Sequence, residues 1–297
     1  MMADGITCAL DIQAESGETP VWSVEEQCLY WVDQEKPTLN RFDPATGRNE
    51  AWPMPAHCSS FALRGTGKPI LVALRTGLHD FDPATGALTL RAAAPYDVAT
   101  ARFNDGRCDR QGRYIIGGVD LSFFENRIPG RSKLWRFDDD GLTSILDGVT
   151  CSNGIAFSPD GRTLYRAESA TSTVLAYDYD TQAGAVSNER VLVQFGPGEG
   201  IPDGAEVDSE GGYWVALLMA NAIARYRPDG TLDRRIPVPV LQPTKPCFGG
   251  PNLATLYLTT ASHRHIPGDQ PMGERAGGIF AIETGHTGIA EPTLLAA

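Results

Sequence analysis

Three oxygen-bearing side chains recur at the same point of a repeated sequence pattern. They are Glu18 in GETPVW, Asn153 in SNG and Asp203 in PDG. Together they offer three oxygen donors with two negative charges, which suit a hard cation such as Ca²⁺, Mg²⁺ or Mn²⁺. Zn²⁺ or Fe²⁺ could also bind in vitro, but no His or Cys stands at this point, which argues against a dedicated structural zinc. Three protein ligands leave positions open, as in catalytic metal sites.

Taken singly, each of these residues has an ordinary explanation. Asp or Asn before Gly is usually a turn residue that tolerates left-handed geometry, and we interpret Asp160 and Asp208 in that way. What distinguishes Asn153 and Asp203 is the point of the repeat that they share with Glu18. The other repeats place further polar or apolar residues there, namely Ser59, Ser60, Arg102, Asn104, Asp105, Lys245, Cys247 and Phe248.

The elements that must position these residues are short strands repeated along the chain. Six apolar strands begin roughly 41 to 50 residues apart, near Leu29, Ile70, Tyr114, Thr163, Tyr213 and Thr255. Each is followed by a second strand, and several of these end in a Gly-containing turn such as PATG. Repeats of this length, worth about four strands each, predict an all-β six-bladed β-propeller, one domain over residues 1–297.

The alternative fold is a pair of β-sandwiches or another all-β repeat, which explains the alternation of strand residues but not the even period. In a propeller, residues at the same point of each repeat converge around one axis, although they are distant in sequence. The ring must also close, so we expect the N-terminal strand, Thr7–Ile12, to pair in the last blade and cover its exposed edge.

Composition narrows the partners. The chain has 297 residues, 42% of them hydrophobic, and a net charge of −12. That charge argues against nucleic acid or an anionic membrane as a partner, and we predict no obligate protein partner. The N-terminus does not resemble a signal peptide, and no apolar run is long enough to span a bilayer. The six scattered Cys predict reduced thiols, and the expected compartment is the cytoplasm.

Other chemistry-bearing residues fit no site. His263 and His265 can share one strand face, but they lie in a polar segment without a carboxylate partner. His79 falls in an outer hairpin, and the acidic run 138–140 is too short for an EF-hand loop. GxSxG, HExxH, P-loop and GxGxxG motifs do not occur in a supporting context.

Five motifs in order along the chain resemble the regucalcin/gluconolactonase/luciferin-regenerating family. They are GETPVW, RFNDGRCDRQGRY, SNGIAFSPDGRTLY, PDGAEVDSEGGYWVAL and KPCFGGPNLATLYLTTA, and the resemblance runs from about Glu15 to Ile282. It implies a six-bladed propeller with one catalytic divalent metal on Glu18, Asn153 and Asp203. It also implies that Arg102 and Asn104 hold the substrate and that the reaction is hydrolysis of sugar lactones. The chain looks most similar to bacterial aldonolactonases of sugar oxidation.

The sequence departs from the family pattern in two places. Where many members read GTM and then an acidic substrate contact, this chain reads GGVDLSFFENR, which leaves that role open between Asp120 and Glu125. Where many members read Asp-Thr, this chain reads Glu168-Ser169, preceded by Arg166. If Arg166 joined the two arginines Arg127 and Arg131 at the rim of the pocket, the substrate would carry an anionic group.

The expected reaction is metal-dependent lactone hydrolysis with a metal-associated water as nucleophile. The metal would polarise the carbonyl, Asp203 would accept a proton, and Arg102 and Asn104 would orient the substrate. The alternatives are another metal-dependent hydrolase on the same scaffold, acting on phosphotriesters or aryl esters, and a non-catalytic Ca²⁺-binding protein. A purely protein-binding propeller is a third, but the GH…WD signature of WD repeats is missing.

Overall fold

The structure is a computed structural model that describes residues 5–123 and 129–295. Its strands form six four-stranded antiparallel sheets, each built from strands consecutive in sequence except the last. The first blade comprises β2 (Gly17–Ser23), β3 (Cys28–Asp33), β4 (Thr38–Asp43) and β5 (Arg48–Pro53). The second comprises β6 (Cys58–Ala62), β7 (Ile70–Leu74), β8 (Gly77–Phe81) and β9 (Leu88–Ala93). The third comprises β10 (Ala101–Cys108), β11 (Tyr114–Asp120), β12 (Ser132–Asp138) and β13 (Gly141–Val149).

The second half of the ring repeats this plan. The fourth blade comprises β14 (Ser152–Phe157), β15 (Thr163–Glu168), β16 (Thr173–Asp180) and β17 (Ala185–Gln194), with a 3-10 turn at Ser169–Thr171 between its second and third strands. The fifth comprises β18 (Ile201–Val207), β19 (Tyr213–Leu218), β20 (Ala222–Tyr226) and β21 (Leu232–Pro237). The sixth comprises β22 (Pro243–Gly249), β23 (Thr255–Thr260), β24 (Ile279–Glu283) and β1 (Ile6–Leu10).

The sixth blade closes the ring as the sequence predicts. Strand β1 pairs antiparallel with β24, so that Ile6 faces Ile282 and Thr7 faces Ala281. The first strands of the six blades contact one another in cyclic order, β2 against β6 and β22 against β2 included. The all-β six-bladed propeller is therefore confirmed, and the chain start supplies the outer strand of the last blade.

Ile6 tests this closure. Its side chain is buried at 4% exposure, whereas Thr7, the next residue, is exposed. We expect Ile6→Ala to lower the free energy of unfolding by about 2–4 kcal/mol, because it removes a buried aliphatic group at the closure. The matched Thr7→Ala should change it by less than about 0.5 kcal/mol. Urea unfolding followed by tryptophan fluorescence measures both, and equal effects would contradict the closure.

Short glycine turns connect the outer strands. The two PATG segments form the same turn, in which Gly47 and Gly86 donate backbone hydrogen bonds of 2.8 Å to Asp43 and Asp82. Both glycines have φ near +70°, at 71° and 74°, which other residues rarely adopt. Packing between blades is apolar, with Trp31, Tyr114 and Trp214 among the largest fully buried side chains.

The innermost strands differ from the prediction in one respect that matters for the site. The sequence placed Asn153 and Asp203 in turns ahead of strands, but both lie inside strands, β14 and β18. Each of the six innermost strands carries a register shift at this point, for example between Glu18 and Val21 and between Pro202 and Ala205. Such bulges re-aim side chains and are common beside active sites. The repeated sequence signal marks a bulge in the channel wall rather than a turn.

Two further expectations can be compared with the structure. All six Cys are free, and four of them are buried. Over residues 5–123 and 129–295, no helix is long and apolar enough to cross a membrane.

Candidate functional site

Glu18, Asn153 and Asp203 lie at the bulges of β2, β14 and β18 and line one end of the central channel. Each is 7% exposed. Burial raises the pKa of Asp203 well above its usual value, and the negative charges of Glu18 and Asp105 add to this rise. Burial likewise raises the pKa of Glu18, with Asp105 as the second cause. The carboxylates therefore lie close enough to repel each other in a poorly hydrated space.

The amide of Asn153 is oriented by its neighbours. Ser169 Oγ donates to the carbonyl oxygen of Pro202 at 2.6 Å, so its remaining bond, 2.8 Å to Asn153, must be accepted from Nδ2. The oxygen Oδ1 consequently points the other way, where Asn104 Nδ2 donates to it at 2.7 Å. Ser169 is a positioning residue that the sequence showed only as a departure from the family pattern.

The side chain of Asn104 is fixed by hydrogen bonds to three residues of the protein. Its Nδ2 also donates to the carbonyl of Ser152 at 2.8 Å, and its Oδ1 accepts from Arg102 at 2.8 Å. Both amide protons are therefore used within the protein, and only its oxygen can accept a further bond. Arg102 also donates to the carbonyl of Phe103 at 3.1 Å, and its charge acts on both Glu18 and Asp203.

An ion pair that the sequence did not single out lies in the same channel. Asp105 and Lys245 are 3% and 1% exposed, and the Lys245 ammonium contacts Asp105 Oδ1. The other Asp105 oxygen accepts from the backbone of Ile155 at 2.8 Å. The sequence placed Asp105 and Lys245 at the shared point of the repeat but did not predict that they pair, and the bulge between Phe103 and Gly106 lies at Asp105.

Further along the same strands, Arg107 is held by two carboxylates. It donates to both oxygens of Glu206 at 2.7 and 2.9 Å, and its Nε lies 3.3 Å from Glu291 in the C-terminal segment. All three belong to the far part of the channel, since Arg107 follows Asp105, and Glu206 follows Asp203, along their strands. The channel is thus lined by ionisable groups along its length, with Glu18 and Asp203 at one end and the Arg107–Glu206 pair further along.

Cationic and neutral groups surround the same end. Loss of water around its ring, with Arg102 and Arg75 nearby, lowers the pKa of His57 to about 2. Enclosure, His263 and Arg102 lower the pKa of His265 to about 4. The HRH motif, which fitted no site in the sequence, therefore reaches the neighbourhood of Arg102. The rings of His57 and His265 are neutral near pH 7. The arginines are therefore the fixed positive charges near this end of the channel.

Of the remaining predicted substrate residues, Asp120 lies at the end of β11 opposite Ala101, the neighbour of Arg102. Asp120 and Arg131 line a crevice of about 270 Å³. Neither Arg102 nor Asn104 lines this crevice. Asp120 Oδ1 accepts from Ser122 at 2.6 Å, and among the described residues nothing donates to its buried Oδ2. Glu125 and Arg127 lie outside the described residues.

Arg166 is not a rim residue, contrary to the expectation. It is 3% exposed and pairs with Glu168 at 2.9 Å. Glu168 in turn accepts from the backbone of Thr150 and Cys151, at 3.0 and 2.7 Å. This ion pair anchors the start of β14, so Arg166 has a structural role and offers no charge to a ligand.

The donor set fits a hard divalent cation. Within the described chain no hydrogen bond reaches the Asp203 carboxylate, and Glu18 accepts one, from the backbone of Thr19 at 2.8 Å. Two buried carboxylates with so few donors are costly unless a cation joins them. No group of three or more His, Cys, Asp and Glu among the described residues is arranged to hold a metal, so a site here depends on the Asn153 amide.

A cavity larger than the Asp120 crevice lies elsewhere. It has a volume of about 580 Å³ and is lined by Trp22, Trp52 and the C-terminal residues 290–293. Trp22 lies at the end of β2 opposite to Glu18, so this cavity opens on the other face of the ring. Volume alone would therefore select the wrong place, because none of the channel carboxylates at the Glu18 end lines it.

The fold and this donor set define a class of protein, a six-bladed propeller with an oxygen-donor site at one channel mouth. The chain belongs to the SMP-30/gluconolactonase/LRE-like family, whose model matches residues 16–262. This confirms the family resemblance of the sequence motifs.

Individual relatives cover nearly the whole chain. A 6-deoxy-6-sulfogluconolactonase of Pseudomonas putida is 35% identical over 98% of this chain and 99% of its own length. A pentonolactonase of Haloferax volcanii is 33% identical over 96% and 97%. Among solved structures, one described as a calcium-binding protein, regucalcin, from Agrobacterium tumefaciens has a TM-score of 0.88 at 27% identity, covering 97% of this chain and 96% of its own.

Proposed function

We propose that this protein is a metal-dependent sugar lactonase that hydrolyses an aldonolactone to the aldonic acid. One observation carries the proposal: Glu18 and Asp203 are buried together almost without donors, beside Asn153 and Arg102. The names of two full-length relatives, a sulfogluconolactonase and a pentonolactonase, support the substrate class. The calcium-binding description of the regucalcin structure supports a divalent ion.

In the proposed reaction, water adds to the lactone carbonyl carbon and the ring C–O bond breaks. A divalent ion held by Glu18, Asn153 and Asp203 would polarise that carbonyl. With the cation bound, Asp203 would be ionised and would accept a proton from the attacking water. Arg102 orients the substrate oxygens, with its guanidinium fixed by Asn104. One proton of the water ends on the hydroxyl released by ring opening, and the other is released when the carboxylic acid product ionises, so acid formation can be followed directly.

The substrate proposed is one that carries an anionic group. In the described chain Arg75 and Arg102, which both act on His57, form no ion pair, although the protein has a net charge of −12. Arg75 donates only to the carbonyl of Val98, at 2.7 Å. Guanidinium groups without a carboxylate at a channel mouth favour a carboxylate, phosphate or sulfonate. The Pseudomonas putida relative is named for a sulfonated gluconolactone.

A single charge removal tests this preference. We expect Arg75→Gln to lower kcat/KM for anionic lactones about tenfold and for neutral lactones less than about threefold, because one desolvated charge interaction is lost. The matched control is Arg48→Gln, an exposed arginine on the outer strand β5, which should change neither value. An equal loss for both lactone classes would contradict the anionic substrate.

The proposed activity itself is tested by acid release in a pH-stat. EDTA-treated protein is assayed with Ca²⁺, Zn²⁺, Mn²⁺, Mg²⁺ or Fe²⁺ across neutral, phosphorylated and sulfonated aldonolactones. Hydrolysis that requires added metal supports the proposal. Tight metal binding without hydrolysis of any lactone would instead favour a non-catalytic Ca²⁺-binding protein, and turnover only of phosphotriesters or aryl esters would favour another hydrolase.

A further inference from the structure

The buried lysine of the channel is the starting point. Lys245 lies on β22 and is 1% exposed, one of the largest fully buried side chains of the molecule. Its ammonium contacts Asp105. Because it is enclosed and already paired, it cannot reach a substrate, and the proposed reaction gives it no step.

The chain makes room for this lysine next to a proposed ligand. Gly204 directly follows Asp203, and a Cβ at this position would lie 2.3 Å from Lys245 Cβ and 2.4 Å from its Cγ. No side chain larger than hydrogen fits there. The lysine stem therefore crosses the backbone of β18 beside Asp203, which carries its charge into the centre of the channel.

The charges around this point can be counted. Apart from Arg102, whose charge is the same in every variant compared below, Glu18, Asp203 and Asp105 would contribute −3 when ionised, and Lys245 contributes +1. The four groups interact: Asp105 raises and Lys245 lowers the pKa of both Glu18 and Asp203. Both oxygens of Asp105 are also occupied, by Lys245 and by the backbone of Ile155. Asp105 is thus directed away from the role of a third carboxylate ligand.

We propose that Lys245 is a specificity-determining residue that neutralises Asp105, limits the metal centre to two negative charges and thereby selects divalent over trivalent cations. This inference rests on the metal centre of the proposed function. Coulomb energy scales with the product of the charges, so one additional negative charge favours a trivalent ion more than a divalent one.

A charge series tests the proposal by calorimetry of Ca²⁺ and La³⁺ binding to EDTA-treated protein. Asp105→Asn, wild type and Lys245→Met give site charges of −1, −2 and −3, and Asp105→Asn with Lys245→Met restores −2. We expect the preference for La³⁺ over Ca²⁺ to rise about tenfold or more at each step of the series and to return to the wild-type value in the double variant.

The outcomes separate the two proposals. A preference that is the same across the series overturns the role of Lys245, even if the wild type binds Ca²⁺ tightly. If the wild type binds neither ion, the metal centre itself is wrong. Lys245→Met leaves Asp105 buried without its partner and could fail to fold. In that case the test compares Asp105→Asn with the double variant. An equal preference for La³⁺ over Ca²⁺ in these two variants overturns the proposal.

Discussion

Asp203→Asn is expected to lower lactone hydrolysis by about 10²–10⁴-fold and to abolish tight metal binding. The substitution removes the proposed proton acceptor and one of two charged metal ligands while keeping the shape of the side chain. It should also stabilise the metal-free protein near pH 8, because Asp203 is buried beside Glu18 and Asp105 without donors of its own. Steady-state kinetics, calorimetry and thermal unfolding in EDTA measure the three effects.

Asp208, five residues further along, is the matched control. It accepts from Arg225 at 2.7 Å, from Trp214 at 2.8 Å and from the backbone of Gly212 at 2.8 Å. Asp208→Asn should lower the free energy of unfolding by about 1–3 kcal/mol, since it removes the fully buried one of the three carboxylates that pair with Arg225, and should leave metal affinity unchanged. If Asp203→Asn destabilises the metal-free protein as Asp208→Asn does, Asp203 is structural. If it loses only turnover, Asp203 is a base but no ligand.

The contrast between these two aspartates shows what the sequence can predict. Their local sequences are similar, and only the position within the repeat separates them. The repeat length predicts the number of blades. In a closed ring, residues at the same position of each repeat lie at the same height along the central channel, which brings Glu18, Asn153 and Asp203 to one channel mouth. The structure confirms the six blades and places these three residues together.

Side-chain direction near the bulges was not predictable in the same way. One extra residue in a strand reverses which neighbours face the channel, so the sequence placed Asp105 at the shared point of the repeat without predicting its pairing with Lys245. Arg166 is a second example, because it was expected at the rim of the pocket but is buried. Its partner, Glu168, lies two residues away on the same strand, and a sequence does not reveal whether that pair is exposed or buried.

The metal-free protein is expected to lose stability as the pH rises from about 5 to about 8, and added metal should reverse that loss. Burial and Asp105 raise the pKa of Glu18 from its usual 4.5 to about 7, and the pKa of Asp203 is raised as well. The folded state therefore holds protons that the unfolded chain releases near pH 4.5. Stability from these groups is complete below that pH and is lost as the pH rises through the folded pKa.

A cation competes with those same protons, so the stabilisation it gives should grow with pH. Thermal unfolding with saturating Ca²⁺ and with EDTA, compared at about pH 5.5 and about pH 8, should show a larger difference at the higher pH. Glu18→Gln together with Asp203→Asn should remove both the pH-dependent loss and the metal effect. A difference that is equal at the two pH values would mean that Glu18 and Asp203 are already ionised without metal, and their burial would then have to be compensated by Lys245 and Arg102 alone.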